Sequence, residues 1–212
     1  MWRIDLAACD EGGSVEFLSA DEEARAARLA TARGRTRFRH ARIALRRLLG
    51  AYLGLPPGEL VLEYGEHGKP HLTGGAQSDL SPLFFNLSHS GNLALFAVGE
   101  LGEIGVDIER IRPLTYPGRL ARDHLSAEEQ ELSPDWSAAA ARPEFFRIWA
   151  RKEAILKAAG LGLSRPLDRV DTIRGVLDGR SWWLLDLLPE DGFAGAVACA
   201  RAPAAVRRWS WP

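Results

Sequence analysis

Residues 83–110, "LFFNLSHSGNLALFAVGELGEIGVDIER", decide the fold. Three short apolar runs, 83–88, 93–99 and 104–109, are separated by turn residues of the Ser, Gly, Asn and Glu type. Runs this short, bounded by turns and rich in Leu, Phe and Val, predict strands joined as hairpins rather than helix. Ser88, His89 and Ser90 are expected at the bend between the first two. In the last run, strand geometry puts Asp107 and Glu109 on one face and Val106 and Ile108 on the other. Gly105 beside them lets a second backbone approach closely.

Upstream, "ARIALRRLLGAYLG" (41–54) places Ile43, Leu45, Leu48, Leu49, Tyr52 and Leu53 at helical spacing and stops at Gly54 before Pro56-Pro57. Its wet face is expected to be arginine. A further strand is predicted in "ELVLEYG" (59–65) and a surface loop in "TGGAQSDLSP" (73–82). Downstream the plan repeats. Ser126 and Glu129 stand in capping-box spacing, "PEFFRIWARKEAILKAAG" (143–160) reads as a long helix, and strands are predicted at 168–177, 181–188 and 193–200, with Asp178-Gly179 as a hairpin turn. The expected fold is α+β. Two similar halves, 1–103 and 104–212, would be related by a pseudo-twofold axis, each with helices packed on an antiparallel meander and with the active site at the seam.

With 212 residues and 46% hydrophobic content, the chain can bury one core or two closely packed halves. It has no apolar run of about 18 residues, and its first residues lack the cationic flank and apolar stretch of a signal peptide, so a soluble, cytoplasmic protein is expected. Cys9 and Cys199 stand far apart without metal-ligand spacing, which predicts two free, buried thiols. The net charge of −1 hides an uneven distribution: nine arginines fall between Arg25 and Arg47, and no acid occurs from residue 24 to 58. Such an island suits a local anionic ligand better than a nucleic acid spread over the surface. Lysine is used only at Lys69, Lys152 and Lys157.

Asp107 and Glu109 side by side repel unless a cation lies between them; alone, they also fit a solvated edge strand. On the long helix, Trp149, Glu153 and Lys157 share one face. That Glu–Lys pair could be simple surface stabilisation of ~0.2–0.5 kcal/mol, but the aromatic neighbours turn the face inward. Three carboxylates without clustered His or Cys suit a hard cation, Mg²⁺, completed by phosphate oxygens. Ser88 and His89 fit either a structural turn or hydrogen bonds to a phosphate, and Pro70 holds Lys69 extended. Lys152, about 140° around the helix from Lys157, either lines the same cleft or pairs with an acid. Together these groups describe a site for a substrate with several phosphates. A Mg²⁺-dependent phosphohydrolase fits the same residues, and a nucleic-acid-binding module would use residues 25–47 but leave the carboxylates idle.

The order and separation of "GKPHL", "FNLSHSGNLALFAV", "GVDIERIRP" and "FFRIWARKEAILKAAGLGL" resemble those of the Sfp-type 4′-phosphopantetheinyl transferases. The likeness spans roughly residues 35–165, and the pairing of "GVDIE" with a downstream "WxxKEAxxK" is its specific part. It implies transfer of 4′-phosphopantetheine from coenzyme A to a serine of an acyl or peptidyl carrier protein, with release of 3′,5′-ADP. It further implies Asp107, Glu109 and Glu153 as ligands of one Mg²⁺ (or Mn²⁺), and Lys157 as the cation on the diphosphate. Ser88 and His89 match the phosphate contacts, Lys69 and Pro70 the coenzyme motif, and Arg39 and Arg42 the place of the 3′-phosphate; where some members carry lysines this chain has Arg35, Arg37 and Arg39, which leaves open which of them meets that phosphate. Asp107, His89 and Lys157 are implied in catalysis beside Glu153, the candidate base for the serine proton. Arg119 and Arg122 fall where the family meets its carrier. A monomer that uses neither nucleic acid nor membrane is expected.

Overall fold

The computed structural model describes residues 1–8, 15–73, 82–162 and 165–211; Cys9 and most of the predicted loop at 73–82 lie outside them. The chain runs β1 (Trp2–Asp5), α1 (Ala20–Ala27), α2 (Ala32–Leu53), β2 (Leu62–Tyr64), β3 (Pro70–Leu72), β4 (Phe84–Ser90) and β5 (Leu93–Gly99). It continues as β6 (Ile104–Arg110), α3 (Pro117–His124), α4 (Ala127–Gln130), α5 (Arg142–Ala159), β7 (Val176–Leu177), β8 (Arg180–Ser181), β9 (Trp183–Leu187), β10 (Phe193–Cys199) and β11 (Trp209–Trp211). This is a mixed α+β architecture, and among the described residues no helix is long and apolar enough to cross a membrane.

α2 starts well before its apolar stripe because the Thr31 hydroxyl accepts the Gly34 amide at 3.1 Å, and it ends where Gly54 turns left-handed at φ 68°. Its inner face, Ala41, Ala44, Leu45, Leu48 and Leu49, is buried against Ile4, Phe85 and Phe96. Each leucine so buried contributes about 1.5–3 kcal/mol. The outer face differs from the sequence expectation: Arg42 and Arg46 are buried rather than wet. Glu22 of α1, itself 0% exposed, forms an ion pair with Arg42 Nε at 3.1 Å and accepts a hydrogen bond from Arg46 Nε at 2.7 Å, and a partner of opposite charge is what makes their burial tolerable.

Two sheets face each other. One is ordered β11-β1-β5-β4 and the other β6-β10-β9. The hairpin β4-β5 forms as predicted, but the third strand of the expected meander leaves for the second sheet, since β1 already occupies the other edge of β5 and β6 pairs with β10. Each sheet's first strand therefore precedes its helix, where the sequence reading placed helices first. The predicted strand at 168–177 is also shorter: a turn of 3₁₀ helix covers Leu167–Arg169 and only Val176–Leu177 is strand. Thr172 and the carbonyls of Leu167 and Val170 are bound to Glu129 and Lys152 instead of to a ladder. The Asp178-Gly179 turn is present, with φ 49° and 76°.

α5 ends at Gly160, φ 72°, and packs on the second sheet through Ala150, Ala154 and Ala158. These small residues let helix and strand backbones meet. A Cβ added at Gly105 would lie 2.1 Å from the Ala154 carbonyl oxygen and 2.3 Å from the Ala158 nitrogen. Between the sheets, Leu93, Leu95 and Ala97 pack on Val106, Ile108 and Val197.

Candidate active site

β4 and β6 are the facing edge strands of the two sheets, and what crosses between them is side chains. Asn86, Ser88 and Ser90 alternate along β4 at the strand period of two and all reach β6. Asn86 Oδ1 accepts the Val106 amide at 2.9 Å, Ser90 Oγ accepts the Arg110 amide at 3.0 Å, and Ser90 donates to Glu109 Oε2 at 3.1 Å. Ser88 Oγ donates to Asp107 Oδ1 at 2.8 Å. Ser88 to Ser90 therefore belong to a strand, not to the bend expected from sequence; the turn is made by Gly91, φ 61°, and Asn92.

α5 supplies the opposite wall. Lys157 Nζ lies 2.5 Å from Asp107 Oδ1 and 3.0 Å from Ser88 Oγ. Glu153 is one turn earlier, half-buried. Burial raises its carboxyl above the ordinary glutamate value; Lys157 opposes, and the charges of Asp107 and Glu109 add to the rise. Glu109 is raised for the same first reason and then by Asp107, with the Ser90 hydroxyl, Lys157 and Arg112 opposing. The three predicted carboxylates thus lie near enough to feel one another's charge. They are not drawn into ligating contact: among the described residues no three His, Cys, Asp or Glu side chains are gathered as a metal cluster. Asp107 Oδ2 is buried and has no hydrogen-bond partner. An orphaned carboxylate oxygen and two acids held at raised pKa are a deficit that a divalent cation would offset.

His89 projects from β4 on the exposed side. The walls around it, then the charges of Lys157 and Arg37, hold its imidazole below the ordinary value, while Asp107 opposes. Lys69 is half-buried and donates to the Ile104 carbonyl at 3.0 Å and to the Ala158 carbonyl, at the end of α5, at 3.2 Å. Burial brings its ammonium down to about 8, with Glu103 opposing. Pro70 opens β3 opposite Tyr64.

The arginines divide. Arg39 chelates Glu23 through Nε and Nη2, at 3.0 and 2.8 Å, and Arg42 is spent on Glu22 and the Tyr64 hydroxyl. Arg37, one of the arginines between which the sequence left the 3′-phosphate contact open, donates to Asn92 Oδ1 at 3.0 and 2.5 Å, joined there by Arg33 at 3.3 Å. Partial burial and the charges of Arg33 and Arg110 lower the Arg37 guanidinium. Arg33 and Arg37 thus share one neutral amide, Arg110 is near enough for its charge to act on Arg37, and Arg37 in turn acts on His89. Lys152 is not among them. It is 0% exposed, 2.6 Å from Glu129 Oε2.

A family model described as the 4′-phosphopantetheinyl transferase superfamily matches residues 103–181, and one described as 4′-phosphopantetheinyl transferase, N-terminal, matches residues 12–100. The 4′-phosphopantetheinyl transferase HetI of Nostoc sp. is 40% identical over 211 residues, covering 94% of this chain and 86% of that protein. The chain belongs to the 4′-phosphopantetheinyl transferase superfamily. A member from Bacillus subtilis is 35% identical over 71% of this chain and 69% of its own length. A putative member from Synechocystis sp. is 35% identical over 74% and 63%. The two family-model matches divide in the connection between β5 and β6, just ahead of Asp107 and Glu109.

Proposed function

We propose that the chain transfers the 4′-phosphopantetheine group of coenzyme A to a serine of an acyl or peptidyl carrier protein, releasing 3′,5′-ADP, with Mg²⁺ as cofactor and Mn²⁺ as a substitute. The observation that carries this reading is the junction of Lys157, Asp107 and Ser88 within 2.5–3.0 Å, with the charges of Glu153 and Glu109 acting on the same cluster. Asp107, Glu109 and Glu153 would hold the ion, a hard-oxygen set suited to it. When bound, the ion neutralises charge on the diphosphate.

The chain's own residues do the rest. Lys157 places a compact ammonium on the diphosphate, a point charge where a planar guanidinium would demand width. Ser88 and His89 hydrogen-bond phosphate oxygens at the nucleotide end. Lys69 orients the coenzyme from the β3 side. Arg37, with Arg33 and Arg110, is better placed for the 3′-phosphate than Arg39 or Arg42, which are already paired. The serine Oγ forms its bond to the β-phosphorus as the bridging P–O bond to the departing 3′,5′-ADP breaks. Glu153, one turn before Lys157 on α5, takes the serine proton.

The carrier would approach along α3, where Arg119 and Arg122 offer positive charge to an acidic helix; Arg119 now pairs with Asp123 at 3.3 Å on the exposed face. The halves 1–103 and 104–212 are read as pseudo-twofold relatives because β1, α2, β4 and β5 recur in order as β6, α5, β9 and β10, with the same strand order in each sheet. Such a chain completes its site as a monomer. Incubation with apo carrier, coenzyme A and Mg²⁺ should add roughly 340 Da to one serine by mass spectrometry, the acceptor chemistry of this transfer. A carrier left unmodified while coenzyme A is cleaved would replace transfer by hydrolysis. Glu153→Ala should fold and lose nearly all turnover; activity within about threefold of the parent would remove Glu153 as base.

A further inference from the structure

A cavity of about 800 Å³ lies away from the carboxylates, at the far end of the seam. Its volume falls in the range of small-molecule sites, roughly 300–1,000 Å³. The walls come from both sheets and α2, with Trp2, Leu48, Val98, Trp183 and Cys199 among them, and the segment 201–208 with β11 closes one side. Trp209 N bonds to the Met1 carbonyl at 3.0 Å and β11 runs parallel to β1, so this closing segment is fastened at its end. The Cys199 thiol, pushed up to about 11 by burial, stays protonated and behaves as apolar wall.

The charged groups bordering the cavity are Glu100, Arg201, Arg207 and the Met1 ammonium, which donates to the Arg207 carbonyl at 2.8 Å. Arg201 is fixed there by its Nε donating to the Leu101 carbonyl at 3.0 Å, Arg207 stands on the same segment, and Glu100 is the opposing acid. Leu101 and Tyr52, 44% and 46% exposed, extend the apolar surface to the mouth. An apolar interior with a surplus of guanidinium at its entrance is complementary to a chain-like apolar molecule that ends in an anion.

We infer that this cavity binds a small amphiphilic anion, an aliphatic chain with a carboxylate head, independently of the transferase site. The chain lies between the sheets and the head meets Arg201 and Arg207. Trp2, Trp183, Trp209 and Trp211 all border the cavity, so their emission reports occupancy. Titration of the full-length protein with dodecanoate, below its micelle concentration, should give a saturable change in tryptophan fluorescence. The Arg201→Ala, Arg207→Ala double variant changes only exposed side chains and should loosen binding about tenfold, the loss of roughly one charge-assisted hydrogen bond. Val98→Phe should abolish it by filling the space, and Glu153→Gln should leave it unchanged. Dodecanol, with the same chain and no charge, should bind at least about tenfold more weakly. Absence of a saturable response to dodecanoate would overturn the inference. So would equal binding of dodecanol, or binding that survives both the cavity-filling and the arginine substitutions.

Discussion

Replacing Lys152 by methionine keeps most of the apolar stem and removes the ammonium, and the structure sets what that costs. Nζ has three donors and meets three acceptors: Glu129 Oε2 at 2.6 Å, the Leu167 carbonyl at 2.8 Å and the Val170 carbonyl at 2.7 Å. Glu129 is equally occupied, accepting the Ser126 amide at 2.8 Å and the Thr172 amide and hydroxyl at 3.1 and 2.6 Å. Both side chains are 0% exposed. Lys152→Met therefore strands a buried carboxylate and leaves two carbonyls short of a donor. Removing one member of such a pair costs about 3–5 kcal/mol, and for a chain of this size that lowers Tm by roughly 10 °C. Urea denaturation gives the number. Glu129→Gln should be destabilising for the reciprocal reason, and the double variant should cost less than the sum, with a coupling of about 2 kcal/mol. A single-variant cost below about 1 kcal/mol, or strictly additive effects, would mean that the buried pair does not hold α5 to the 165–172 segment.

Gly105→Ala should destabilise the protein by about 1–3 kcal/mol or more, read by the same denaturation curves, because its methyl would lie 2.1 Å from the Ala154 carbonyl and cannot be accommodated without moving α5. Arg37→Ala should raise the KM for coenzyme A about tenfold with little change in Tm, whereas Arg42→Ala should do the reverse, since its partner Glu22 is left buried and uncompensated; steady-state kinetics and melting curves on both variants decide. Lys69 supplies a pH dependence. Its ammonium titrates at about 8 when folded and at the ordinary 10.5 when unfolded, so between these values the unfolded chain holds more protons and folding stability rises with pH. Over the same window coenzyme binding should weaken as the charge is lost, and Lys69→Arg should abolish that slope in KM against pH.

Local chemistry was legible where it stayed local. Short apolar runs with turn residues located β5 and β6, Gly54 and Gly160 marked helix ends, and the strand period put Asp107 and Glu109 on one face. Legibility ended where a residue's role depends on a partner supplied by another element. Lys152 and Glu153 are adjacent, and about 100° of helix sends one into the core and the other toward the charges of Asp107 and Glu109; what decides it is Glu129, buried on α4. Arg42 and Arg46 carry nothing that separates them from Arg37 until α1 delivers Glu22. The polar alternation Asn86, Ser88, Ser90 inside an apolar run was visible, and its period of two is the signal that would have assigned these residues to a strand facing β6.

That alternation also explains why the chemistry sits at this seam. Had β4 and β6 joined through a backbone ladder, strands about 4.8 Å apart would have formed one continuous sheet across the junction. Here the Val106 and Arg110 amides are satisfied by side chains of β4, so two sheet edges meet without an unpaired donor at these positions and without fusing. The interposed side chains set the strands apart and bring hydroxyls to the carboxylates that β6 presents. Gly105 lets α5 press against the same strand from the other side, which carries Lys157 to Asp107. The site is thus a consequence of two local choices, small polar residues on one strand and a glycine on the next, each of which gives up ordinary packing so that acids and an ammonium can act on one another.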